Sequence, residues 1–174
     1  MTLEEKALIF ATAAHAGQTR KYTGEPYVNH CVAVASLVKG ANDYSDNMIA
    51  AALLHDTLED TQVDIGLIRH NFGEYVAYLV YMLTDTPRND MMNRAQRKAN
   101  DRERLRKSLP SVQTIKLADL IDNSKSIVER DPNFAVVYMQ EKRQLLDVLT
   151  KGDAKLYAQA QAIITDYYKG DWRD

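Results

Sequence analysis

Apolar residues recur every three to four positions along nearly the whole chain, and all four prolines fall between the stretches that show this rhythm. A period near 3.6 residues marks helices with one buried face. Proline has no backbone N–H to donate, so it sits at helix starts or in turns and is excluded from helix interiors. No segment alternates apolar and polar residues as a half-buried strand does. The pattern predicts an all-α fold of about eight to ten helices, and 174 residues suit a single domain over 1–174.

Local signals place the predicted helices. Thr2 with Glu5 forms a capping box, followed by Leu3, Ala7, Phe10, Ala11 and Ala14 on one face and a stop near Gly17. Residues 18–26 are polar and contain Gly24 and Pro26, which predicts a loop. A helix from about Tyr27 to Lys39 should bury Val28, Val32, Ala35 and Val38. The next begins at Ser45 or Asp46 and is expected to run unbroken to Asp60. Asp64 caps a helix that Gly73 breaks, with a further helix from Tyr75 to Leu83. The segment from Arg94 to Lys107 is strongly basic. Ser111 is expected to cap a helix bearing Val112, Ile115, Leu117, Leu120, Ile121 and Ile127. Asp131-Pro132 is a cap followed by proline in the first helical position, and Gly152-Asp153 precedes a last helix, Ala154 to Tyr168. Trp172 lies in a polar tail.

Composition excludes several classes of function. Lys plus Arg number 22 and Asp plus Glu 24, so there is no general excess of positive charge for nucleic acid. The basic stretch 94–107 has no interleaved aromatic residues and does not change that expectation. One cysteine, Cys31, rules out an internal disulfide framework and reads as a small buried side chain. Met1-Thr2-Leu3-Glu4-Glu5 is unlike a signal peptide. The longest apolar run, Met48 to Leu54, is far short of the roughly 20 residues a membrane span needs. A cytosolic protein without membrane attachment is expected.

The chemistry concentrates at Ala51-Ala52-Leu53-Leu54-His55-Asp56-Thr57-Leu58-Glu59-Asp60-Thr61, where an apolar helix runs into ionisable groups. Burying such groups is costly unless they are paired or metal-bound. His55 and Glu59 are four apart, as are Asp56 and Asp60, so one patch of a continuous helix would carry an imidazole and three carboxylates. A divalent cation relieves the repulsion within such a patch, and mixed nitrogen and oxygen donors suit Mn, Fe or Zn better than Ca. His30 and Asp119 lie in two other apolar helices and can complete the site, with Asn123 one turn beyond Asp119. His15 and His70 read as helix-end or surface histidines.

The order His30, His55-Asp56, Asp119 resembles the HD metal-dependent phosphohydrolase superfamily. Residues 15–30, His-Ala-Gly-Gln-Thr-Arg-Lys-Tyr-Thr-Gly-Glu-Pro-Tyr-Val-Asn-His, are similar to the start of the hydrolase domain of RelA/SpoT proteins and small alarmone hydrolases. The stretch from Leu54 to Thr61, then Phe72-Gly73, Leu83-Thr84 and Lys116 through Asn123 continue the likeness over about residues 4–128, leaving two covering helices at about 132–168. The resemblance implies hydrolysis of the 3′-pyrophosphate of guanosine tetra- and pentaphosphate, usually with Mn²⁺ or another divalent transition metal. It implies His30, His55, Asp56 and Asp119 as metal ligands and Glu59 and Asp60 as the acidic pair acting on the attacking water. It further implies that Arg20, Lys21 and Asn123 contact the nucleotide, with Arg20 stacked on the base. Between Thr84 and Ile115 the likeness fades. There Arg94, Arg97 and Lys98 are candidates to hold the pyrophosphate, Arg94 being nearest the expected place. The expected partner is a small purine nucleotide and not a nucleic acid. An adenosine alarmone, the 2′-phosphate of NADPH, or a non-catalytic nucleotide-binding role remain alternatives.

Overall fold

A computed structural model describes residues 1–88 and 90–170; Trp172 lies outside them. The described residues form α1 (Leu3–Ala14), α2 (Val28–Lys39), α3 (Asp46–Leu54), the single turn α4 (Thr57–Asp60), α5 (Ile65–Leu83), α6 (Arg94–Lys107), α7 (Pro110–Arg130), α8 (Pro132–Leu146) and α9 (Ala154–Lys169). Among them there is no strand, only an isolated bridge between Thr19 and Pro26 that pinches the loop before α2. The all-α expectation holds.

Helix α3 is the hub. Every residue from Met48 to Leu54 is buried, because this helix is apolar all round and packs against α1, α2, α5 and α7. Helix α7 is the second hub, buried from Val112 to Ile121, with α8 and α9 lying against it. Gly152 permits a close approach at this layer, since a Cβ there would stand 2.6 Å from Leu117 Cδ1. No helix of the described residues is long and apolar enough to cross a membrane.

Many end signals act as read. Thr2 and Glu5 make the reciprocal capping box, Asp64 caps α5, and Asp131 caps α8 with Pro132 following. Gly73 has φ of +85°, a backbone that side chains with a Cβ rarely adopt, and it divides α5 into two helical stretches. Three expectations need correction. The helix containing Met48 ends at Leu54, and α4 begins only at Thr57. The Thr57 hydroxyl donates to the Leu54 carbonyl and His55 Nδ1 to that of Ala52, both at 2.7 Å, so side chains take over the carbonyls that a continuing helix would use. Pro110 occupies the first turn of α7 and Leu109, not Ser111, is its cap. Val32 is 39% exposed, because α2 turns His30, Cys31, Val34, Ala35 and Val38 inward instead.

Helix α6 is almost wholly polar, with only Asp101 and Leu105 buried. Asp101 Oδ1 accepts from the Thr86 backbone N–H at 2.9 Å and from its hydroxyl at 2.6 Å. These bonds tie the basic helix to the chain leaving α5, and so to the rim of the site described next.

Candidate metal centre and nucleotide cleft

The break after α3 aims the chemistry. His55 donates through Nδ1 to the Ala52 carbonyl, which leaves Nε2 as the nitrogen facing inward. Nε2 lies 3.0 Å from Asp56 Oδ2 and 3.6 Å from Asp119 Oδ1. On α2, His30 turns Nδ1 to Asp122 Oδ2 at 2.7 Å, and its Nε2 lies 3.3 Å from Asp119 Oδ1 and 3.5 Å from Asp56 Oδ2. Three elements that are distant in sequence therefore bring His30, His55, Asp56 and Asp119 to one point. The donor atoms of His30, His55 and Asp56 all fall within 4.8 Å of one another.

These residues fit a divalent cation. Both Nε2 atoms are buried and neither makes a hydrogen bond among the described residues, although carboxylate oxygens lie beside them. A polar nitrogen buried without a partner is costly. Here two of them converge with two carboxylates, as ligands of a mixed nitrogen and oxygen site would. The electrostatics agree. Burial pushes both imidazoles towards neutrality, but Asp119, Asp122 and Asp56 outweigh it and raise His30 to about 11. Asp56 and Asp119 raise His55 to about 9 in the same way. Burial also opposes ionisation of the carboxylates. The two histidines nonetheless hold Asp56 well below its ordinary range, and Lys116 with the histidines does so for Asp119.

A second ring of side chains sets the orientation of the first. The Tyr27 hydroxyl donates to Asp56 Oδ2 at 2.7 Å, and its ring lies between those of His15 and His30. Asn123 Nδ2 donates to Asp119 Oδ1 at 2.7 Å, and Lys116 Nζ pairs with Asp119 Oδ2 at 3.1 Å. Arg20 Nη1 donates to Asp122 Oδ2 at 2.5 Å and Nη2 to Asn123 Oδ1 at 3.0 Å. Tyr27 and Asp122 were not singled out from sequence. Tyr27 lies one turn before His30 and Asp122 one turn after Asp119, but that spacing does not show what either side chain touches. His15 caps α1 as a helix-end histidine, but it is buried, with Nδ1 at 2.8 Å from Gln18 Oε1. His70 is exposed, and Cys31 is buried.

Glu59 and Asp60 line one side of a cleft of about 550 Å³ that also has Asp85, Arg88, Arg94, Arg97 and Lys98 in its walls. That volume is in the range of small-ligand sites. Glu59 Oε2 accepts from the Asp85 backbone N–H at 3.2 Å. Burial first, then the charges of Asp85 and Asp56, raise Glu59 to about 7 against the pull of Lys116. Burial and Asp56 also push Asp60 up.

The basic residues differ in what holds them. Lys98 pairs with Asp85, and Arg97 Nη1 donates to the Met92 carbonyl at 2.8 Å. Arg94 makes a two-pronged contact with Glu141 on α8, Nε to Oε1 at 2.6 Å and Nη2 to Oε2 at 2.8 Å. Arg88 is exposed and has no protein partner among the described residues. Lys21 is 75% exposed and reaches the Tyr22 hydroxyl at 3.1 Å and Asp131 at 3.5 Å.

A family model described as HD domain matches residues 7–150. The chain belongs to the HD domain family. Within that family, the chain is 35% identical over 130 residues to a probable guanosine-3′,5′-bis(diphosphate) 3′-pyrophosphohydrolase of Synechocystis, matching 73% of this chain but spanning only 17% of that relative's length. A guanosine-3′,5′-bis(diphosphate) 3′-pyrophosphohydrolase of Mus musculus is 34% identical over 124 residues, covering 70% of this chain and 68% of the mouse protein. Among solved structures, a metazoan orthologue of SpoT, described as hydrolysing ppGpp with a role in starvation responses, superposes with a TM-score of 0.86 at 28% identity. That match covers 96% of each chain.

Proposed function

We propose that the protein is a metal-dependent hydrolase that removes pyrophosphate from the 3′ position of guanosine 3′,5′-bis(diphosphate), leaving GDP, and from the pentaphosphate, leaving GTP. The observation that carries the metal-dependent reading is the convergence of the buried Nε2 atoms of His30 and His55 on the carboxylates of Asp56 and Asp119. The similarity to relatives named for this reaction supplies the substrate class.

His30, His55, Asp56 and Asp119 would hold the cation, with Mn²⁺ the first choice and Fe or Zn compatible with the same donors. When bound, such a cation lowers the pKa of a coordinated water and polarises a phosphoryl oxygen. Glu59, raised to about 7, is suited to take the proton from the attacking water near neutral pH. Asp60 lies beside it and helps to place that water. The water oxygen joins the first phosphorus of the 3′-diphosphate, the bond from that phosphorus to the 3′ oxygen breaks, and the 3′ oxygen leaves with a proton as a hydroxyl.

Arg20 offers a planar cation for stacking on the purine, and Asn123 and Lys21 contact the nucleotide around it. Arg88, Arg97 and Lys98 would meet the pyrophosphate, a reading supported by their lining the cleft with Glu59. Arg94 lines the same cleft, but Glu141 already occupies its guanidinium, so it serves the substrate chiefly by fixing α6 against α8.

The test is a substrate panel with Mn²⁺: the guanosine alarmone, its adenosine analogue and NADPH, each alone and in competition. Release of pyrophosphate from the guanosine compound at the highest kcat/KM is the expected result. Preference for the adenosine analogue, or phosphate release from NADPH alone, would move the substrate while keeping the chemistry. No turnover of any of them would remove the enzyme reading.

A further inference from the structure

One carboxylate joins the metal centre to the nucleotide-facing arginine. The same oxygen, Asp122 Oδ2, is 2.7 Å from His30 Nδ1 and 2.5 Å from Arg20 Nη1. His30 faces the metal centre through its other nitrogen. We propose that Asp122 is a positioning residue that orients His30 for the cation and Arg20 for the purine, and so couples the two binding events. The nucleotide half of this inference rests on the hydrolase reading above; the metal half does not.

The chemistry requires both contacts to run one way. An ionised carboxylate only accepts, so His30 must carry a proton on Nδ1 when it faces Asp122. Nε2 is then the nitrogen left to hold a metal, and the carboxylate's charge makes it a better donor. Arg20 is always charged and presents a rigid fork. One prong ends on Asp122 and the other on Asn123 Oδ1 at 3.0 Å, so two points fix the plane of the guanidinium before any purine arrives. Asn123 in turn donates to Asp119 at 2.7 Å, which places both of Arg20's partners one step from a proposed metal ligand. Asp122 is not a solvated helix carboxylate. Its side chain and that of Arg20 are each only 14% exposed, and its Oδ2 is shared by the two cationic partners.

Asp122→Asn keeps the shape and removes the charge. In nucleotide-free protein, competition with a chelator should show Mn²⁺ bound roughly 10–100-fold more weakly than in the wild type. With Mn²⁺ saturating, KM for the guanosine alarmone should rise while kcat changes less. The double variant Arg20→Ala/Asp122→Asn should have the KM of Arg20→Ala alone, because Asp122 reaches the nucleotide only through Arg20. Asp122→Ser, which removes both contacts, gives the same metal measurement if the first variant folds poorly. Wild-type Mn²⁺ affinity in these variants, or KM losses that multiply in the double variant, would overturn the proposal. The metal measurement needs no substrate, so it stands even if the alarmone proves not to be turned over.

Discussion

Glu59 Oε2 accepts a hydrogen bond from the backbone N–H of Asp85, 26 positions further along the chain. This contact fixes the proposed base against the exit of α5, while the Asp85 carboxylate is held by Lys98 and by Lys116 at 3.5 Å. The backbone of Asp85 thus steadies Glu59, and its carboxylate charge adds to burial in raising Glu59's proton affinity.

The pH profile follows from that charge. A base must be deprotonated to act, so kcat/KM should rise with pH on an acid limb governed by Glu59. In the metal-free protein that carboxyl lies at about 7, and a bound cation moves the limb lower. Glu59→Gln should cost about 10²–10⁴-fold in kcat. Asp85→Asn removes the second-largest cause of the raised pKa and frees two lysines, so the limb should shift to lower pH. An unmoved or raised limb in that variant would show that Asp85 does not tune Glu59.

Metal binding should release protons. His30 at about 11 and His55 at about 9 are protonated in the metal-free protein at neutral pH, and each must lose a proton to become a ligand. Mn²⁺ affinity should therefore increase with pH, steeply from 6 to about 9 and less steeply from there to about 11. Calorimetry in buffers of different ionisation enthalpy should count more than one proton released per ion. Zero proton release would mean the cation binds elsewhere.

Holding the metal also links to stability. A cation at 100 times its Kd adds about 2.7 kcal/mol to folding stability if it binds only the native state. Thermal melts should rise on adding Mn²⁺ and fall back with chelator. In Asp56→Ala the melt should no longer respond to the ion, and activity should be lost.

The cationic side chains of the cleft should separate by role. Arg88 has no partner among the described residues, so Arg88→Ala should raise KM without lowering the melting temperature. Arg94 is 41% exposed and bound to Glu141, so its loss should cost at most about 1 kcal/mol of stability and loosen α6 from α8. Hydrogen exchange on α6 reads this directly, with faster exchange expected in Arg94→Ala than in Arg88→Ala.

Much of this architecture was legible because short-range rules decide it. Thr2 with Glu5, Gly73 and Asp131-Pro132 each mark an element end through their own backbone chemistry, and the structure follows them. The candidate metal ligands were visible because His30, His55, Asp56 and Asp119 interrupt apolar helices. The break after Leu54 was not visible, because it depends on His55 and Thr57 bonding back to carbonyls that a helix also uses. Asp122 and Tyr27 were missed for another reason. Their roles come from contacts across helices, 92 positions from Asp122 to His30 and 29 from Tyr27 to Asp56, which local spacing does not encode. Arg94 showed the reverse: its position suggested the substrate, and only the fold reveals Glu141 as its partner.

The most direct test is product analysis by phosphorus NMR, with purified protein, the guanosine alarmone and Mn²⁺, beside the Asp56→Ala variant. Intact pyrophosphate and GDP in equal amounts are expected from the wild type and neither from the variant. Equal turnover by both proteins, or release of single phosphates without pyrophosphate, would contradict the proposed reaction.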